Sequence, residues 1–146
     1  PCARIRAATV PARTGKRIMK SITTVLPVPS IETELGLWRD RLGFDVTTVV
    51  NHGDTLGFVI LQRAGIEVML QSHASLDDDL GEVGGGALRG MAILFIKVND
   101  LDQTASRLTD ADITMAERTT FYGSREIAVR TPSGHLVVLA EFPDED

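Results

Sequence analysis

Two stretches of the chain carry the same pattern of apolar and polar positions. ITTVLPVPSIETELGLW begins at Ile22 and AILFIKVNDLDQTASRL at Ala92. Each reads as an apolar strand ending in Val, a two-residue turn and an amphipathic helix. Val28 matches Val98, and the same spacing along the chain pairs Ile31 with Leu101, Leu35 with Ala105 and Trp38 with Leu108. Positions i, i+4 and i+7 share one face of a helix, so these residues predict the packed stripe of each helix. Ser30 and Asp100 stand just before the stripes, where a side-chain oxygen can accept a free amide of the first turn. The likeness continues downstream. GFVILQRAGIEVMLQ (57–71) and EIAVRTPSGHLVVLAEF (126–142) each read strand, turn, strand. Gly65 and Gly134 lie in the turns, spaced almost as Val28 and Val98 are. Glycine supplies the positive φ that tight hairpin turns often require. A further strand precedes each hairpin, FDVTTVV (44–50) and roughly TMAERTT (114–120).

Each half is therefore βαβββ, and the chain is an α+β domain. One such unit has a small sheet and one helix, too little core to stand alone. Two units together predict a curved mixed sheet with helices on its outer face and a concave inner face, the kind of surface on which small molecules bind. The domain spans 21–142, with repeat one about 21–72, a connection 73–90 and repeat two about 91–142. The connection, HASLDDDLGEVGGGALRG, shows no periodicity and reads as a mobile, solvated loop. Its Asp77, Asp78 and Asp79 are adjacent rather than spaced, and the central glycine of a calcium loop is missing.

Composition narrows the partners. The 146 residues are 43% apolar and 24% charged, as in an ordinary globular domain, and the net charge of −5 argues against nucleic acid. No apolar run approaches the ~20 residues of a membrane helix. A single cysteine, Cys2, excludes an internal disulfide and a Cys zinc cluster, and a reducing, cytoplasmic location is expected. Residues 1–20 form a basic extension with no acid before Glu32. It is expected to pack along the protein's own acidic body or a partner subunit; a transit peptide is the less favoured reading. No Gly-x-Ser-x-Gly elbow and no phosphate-binding loop is present.

The helix WRDRLGF and the hairpin REIAVRTPSGH resemble the vicinal oxygen chelate superfamily, over roughly residues 21–142. That superfamily groups glyoxalase I, extradiol dioxygenases, and fosfomycin- and bleomycin-resistance proteins. The two motifs look closest to the bleomycin-resistance members. The resemblance implies a homodimer with cavities formed by curved sheets. In the enzymes it implies one divalent metal, held by His or Glu and sometimes Gln, from the first and last strand of each half. Carried over by distance from Val28, Val98, Gly65 and Gly134, the four positions are Thr23, Met69, Ile93 and Val138. None offers the imidazole nitrogen or carboxylate oxygen such an ion wants. A two-residue slip keeps the same face and would bring Glu67 or Gln71 to the place of Met69, which is still no metal site.

The three histidines have plainer readings. His52 is expected in an exposed turn, and His73 at the loop entrance, within reach of the cavity mouth. If Val138 faces the cavity, period-two alternation sends His135 and Glu141 away from it, Glu141 to a surface strand end. The same alternation lines the pocket with Thr23, Val25, Glu67, Met69 and Gln71 from the first half and Ile93, Phe95, Leu136 and Val138 from the second. Phe58, Phe121 and Tyr122 are candidates for the rim. Glu67 is expected to meet a cationic ligand group or to pair with Arg63 or Arg125, because a buried carboxylate needs a partner. The favoured function is a small-molecule-binding protein without metal or cofactor, sequestering a drug or metabolite. The alternatives are a metal-dependent lyase or ring-cleaving dioxygenase using His73, Glu67 and Glu141, and a dimeric interaction module with a vestigial pocket.

Overall fold

The computed structural model describes residues 21–81, 89–110 and 112–143. The basic extension and residues 82–88 of the connection lie outside the described residues, so the expectations placed on them are not addressed by it. The first half runs β1 (Thr24–Val28), α1 (Ile31–Leu35), β2 (Asp45–His52), β3 (Thr55–Arg63) and β4 (Ile66–Ser72). After α2 (His73–Leu80), the second half repeats this order as β5 (Ile93–Lys97), α3 (Leu101–Ser106), β6 (Ile113–Thr119), β7 (Arg125–Arg130) and β8 (Leu136–Glu141). The strands form two four-stranded sheets of identical topology, β1-β4-β3-β2 and β5-β8-β7-β6. In each, the first strand lies parallel to the last and the others are antiparallel. Val25 opposes Met69 as Phe95 opposes Val138, so the repeat seen in the sequence survives in the pairing.

Alternation decides which side of each sheet is buried. Leu26, Val28, Val68 and Leu70 point into the interior in the first half, Val137 and Leu139 in the second. They form one core with Ile31, Leu35, Trp38 and Leu101. Full burial of each such side chain contributes roughly 1.5–3 kcal/mol. Ser30 and Asp100 cap α1 and α3, accepting the amides of Thr33 and Gln103. Past α1 the chain widens into a π-helical segment, Gly36–Arg41, that carries Trp38 into the core against Phe44 at 5.4 Å. Gly65 and Gly134 take φ of 82° and 96°, as their turns require.

The connection departs from expectation. His73–Leu80 is a helix, capped by Ser72, whose hydroxyl accepts the Ser75 amide. Only Leu76 of this helix is buried, and one apolar anchor leaves no period to read. Its aspartates are also engaged rather than merely solvated. Asp77 pairs with Arg89, Asp78 with His52, and Asp79 accepts from Gln71.

The halves are joined by polar groups around the β7–β8 turn. The fully buried Glu34 of α1 accepts the Trp38 indole N–H and the backbone N–H of Ser133, both at 2.9 Å. His135, also fully buried, accepts the Ala92 amide at Nδ1 (2.9 Å) and meets the Pro27 carbonyl with Nε2 at 2.8 Å. An acceptor at Nδ1 and a carbonyl at Nε2 require a neutral ring with its proton on Nε2. At a third contact Arg41 pairs with Asp112 at 2.8 Å. Replacing His135 by Ala removes one bond that crosses between the halves, to Pro27, and one within the second half, to Ala92, and leaves a void. Urea unfolding should show about 2–4 kcal/mol of lost stability; an unchanged midpoint would contradict this role.

Candidate functional site

Each sheet has a second face, turned away from the core and from α1 and α3. In the first half it carries Thr23, just ahead of β1, with Val25, Glu67 and Met69. Strand pairing adds Ile60 beside Met69 and Gln62 beside Glu67. Val25 is 43% exposed, so this apolar face is open in the single chain. Gln71 belongs to the same face but is covered by α2, its amide donating to Ser75 Oγ (3.2 Å) and Asp79. Phe58 pairs beside it and is half-buried.

Glu67 does not form the expected arginine pair. It accepts the Thr23 hydroxyl at 3.0 Å and the Gln62 amide at 2.6 Å. Arg63 turns instead to the Gly43 carbonyl, and Arg125 to Asp102, Glu117 and Glu141. Neutral donors on the same face reach Glu67 with short side chains, whereas both arginines have partners of their own elsewhere.

In the second half Ile93, Phe95, Leu136 and Val138 share the open face, Ile93 and Phe95 being 74% and 49% exposed. Beyond them lies an aromatic shelf. Phe95 and Phe142 have ring centroids 6.2 Å apart, Tyr122 stacks on Phe142 at 6.0 Å, and Phe121 meets Tyr122 edge-on at 4.9 Å. The Lys97 ammonium lies 4.8 Å from the Phe142 ring. Phe121 and Tyr122 thus stand at the edge of this face.

Glu126 also belongs to this face and was not foreseen. It opposes Ala140, which shares its face with Val138. The register set at Gly134 contained that placement, one strand farther in than the last strand, from which the lining was read. Glu126 is 1% exposed, yet its carboxylate accepts from Tyr122 (2.9 Å), Ser124 (3.1 Å) and Arg118 (3.1 Å). Burial raises its pKa, but these hydrogen bonds and the Arg118 charge outweigh burial and hold the carboxyl below its ordinary 4.5.

The histidines stand apart from both open faces. His52 ends β2 and bonds Asp78 at 2.6 Å. His73 opens α2, and burial, helped by the Arg89 charge, lowers its pKa below 6.5. His135 faces the interior, where its ring joins the two halves. Glu141 is half-buried at a strand end and accepts the Leu101 amide at 3.1 Å, a free donor of α3.

A metal does not fit this donor set. Thr23, Met69, Ile93 and Val138 stand at equivalent places in the two repeats and supply one hydroxyl, one thioether and two hydrocarbons. Among the described residues no three His, Cys, Asp or Glu side chains come together to hold an ion. His73, Glu67 and Glu141 therefore do not assemble into a site.

The paired βαβββ sheets with an open face on each define a duplicated, pocket-bearing α+β protein. The profile of the glyoxalase/bleomycin resistance protein/dioxygenase superfamily matches residues 20–139, and the chain belongs to that superfamily. A search of curated proteins finds no match. Among solved structures, TioX from Micromonospora sp. ML1 superposes with a TM-score of 0.68 at 19% identity, over 86% of this chain and 100% of that one. A lactoylglutathione lyase from Agrobacterium tumefaciens gives 0.64 at 16% identity, over 84% and 92%. TnmS3, an antibiotic binding protein from Streptomyces sp. CB03234, gives 0.64 at 14%, over 88% and 100%. At these identities the likeness is one of fold. No helix among the described residues is long and apolar enough to cross a membrane.

Because the folded carboxyl of Glu126 titrates below its ordinary value, its contribution is complete above about pH 4.5 and is lost as pH falls through the folded value. Glu126→Gln should cost about 1–3 kcal/mol at neutral pH, and the stabilities of the two proteins should converge as pH falls below the ordinary carboxylate range. A gap that stays constant with pH would show that the charge is not what matters.

Proposed function

We propose that the chain binds a small, largely apolar molecule without a metal, in the manner of a sequestering rather than a catalytic member of its superfamily. The observation that carries this reading is that Thr23, Met69, Ile93 and Val138 stand where the resemblance would place the metal ligands, and none of them offers an imidazole or a carboxylate. What surrounds those positions supports it. The open faces offer apolar area at Val25, Met69, Ile93 and Val138, and an aromatic shelf at Phe95, Tyr122 and Phe142. Burying such area contributes roughly 25 cal/mol per Å² without any reaction. The likeness to TnmS3, described as an antibiotic binding protein, is compatible with a drug or metabolite as occupant. Large side chains left exposed, among them Ile93 at 74% and Phe121 at 77%, favour a homodimer that closes the open faces into cavities.

Native mass spectrometry checks the reading directly. The expected species is a dimer that takes up a neutral planar aromatic probe such as Nile red. Replacing both Phe95 and Tyr122 by Ala should weaken probe binding about tenfold, since each aromatic contact is worth about 0.5–1.5 kcal/mol. A monomer that binds no probe, or a double variant that binds it as tightly as the parent, would contradict the proposal.

A further inference from the structure

A cavity of about 330 Å³ opens on the other side of β5, between the two halves. Leu42, Phe44, Ile66, Ile96, Val98 and Leu139 supply its apolar surface. The alternation of β5 separates it from the site above: Ile96 and Val98 are half-buried toward this cavity, while Phe95 lies on the open face. Lys97 belongs to the lining through its strand, but its ammonium is directed to Phe142. Asp100, the acid in the lining, is engaged in capping α3, and Arg41 is neutralised by Asp112.

Arg63 and Arg107 remain. Both guanidinium groups converge on the space where Gly43 lacks a side chain. A Cβ built there would collide with Arg63 Nη1 and lie 3.4 Å from Arg107 Nη1. Arg63 donates to the Gly43 carbonyl at 2.8 Å, and among the described residues neither guanidinium has a carboxylate within 4.0 Å. Gly43 has φ of 78°, a second reason for glycine at this position. Two unneutralised guanidinium groups that share one space repel each other, and a bound anion relieves that repulsion while accepting their planar donors. On a protein with a net charge of −5, their convergence beside an apolar cavity is a local reversal of the overall field.

We propose that this cavity is a second binding site, for a small organic anion: a carboxylate or phosphate monoester with an apolar body. Arg63 and Arg107 hold the anionic group, and the body lies against Phe44, Ile66 and Val98. The site is independent of the open faces and of whether those faces take a ligand.

Isothermal titration and amide NMR with 4-phenylbutyrate, phenyl phosphate and the neutral 4-phenylbutanol test this. Saturable binding of either anion is expected, with amide shifts at Gly43, Ile66 and Val98 and much weaker binding of the alcohol. The double variant R63Q/R107Q should bind the anion about tenfold more weakly, because each charge-assisted contact is lost. Both side chains are exposed, and circular dichroism should report the variant folded. Preference for the carboxylate or for the phosphate names the anionic group. Equal binding by the folded double variant, equal binding of the alcohol, shifts confined to Val25, Met69 and Phe95, or no binding of either anion would each overturn the proposal.

Discussion

The β7–β8 turn is the point on which the two halves depend. It brings the Ser133 amide to Glu34 of α1 and the His135 ring to the Pro27 carbonyl of β1. Both side chains are fully buried, and leaving either of them without its partner costs more than the bond itself contributes. Glu34 is further committed to Trp38, whose indole would otherwise bury an unpaired donor. The two groups in this turn region with the chemistry of catalysts are thus consumed by structure. Their positions fix where β1 and β8 run, and with them the faces that carry the pocket residues.

Alternation then divides the labour of each strand. One side of β4 and β8 supplies Val68, Leu70, Val137 and Leu139 to the core; the other leaves Glu67, Met69, Leu136 and Val138 on the open faces. A single-residue slip would exchange the two sets, and the hairpin turns at Gly65 and Gly134 prevent it. The polar groups on the open faces are largely satisfied within the protein. Glu67 is held by Thr23 and Gln62, and Glu126 by Tyr122, Ser124 and Arg118. A surface built this way meets a ligand with apolar and aromatic area first, and with pre-oriented acceptors second.

Much of this was legible in the sequence because repetition carries it. Val28 and Val98, Ser30 and Asp100, and Gly65 and Gly134 mark equivalent points, and the paired βαβββ order follows from them. Trp38 on the helical stripe read correctly as core. What escaped were contacts between elements that periodicity does not describe. The helix His73–Leu80 has one apolar anchor and is held by its cap and its aspartate pairs, so it read as loop. The bonding of Glu67 to neutral donors rather than to Arg63 depends on where Gly43 lets that arginine lie. Glu126 was within reach of strand pairing but not of a lining drawn from first and last strands alone.

The central claim is the proposal that the chain works without a metal, since a hydroxyl, a thioether and two hydrocarbons stand where the resemblance would place the metal ligands. The direct measurement is the metal content of the purified protein after incubation with excess nickel, zinc, manganese or ferrous iron and removal of the free ion. Metal well below stoichiometric amounts for every ion is the predicted result; about one tightly held ion per chain, as a dedicated site binds, would contradict the account.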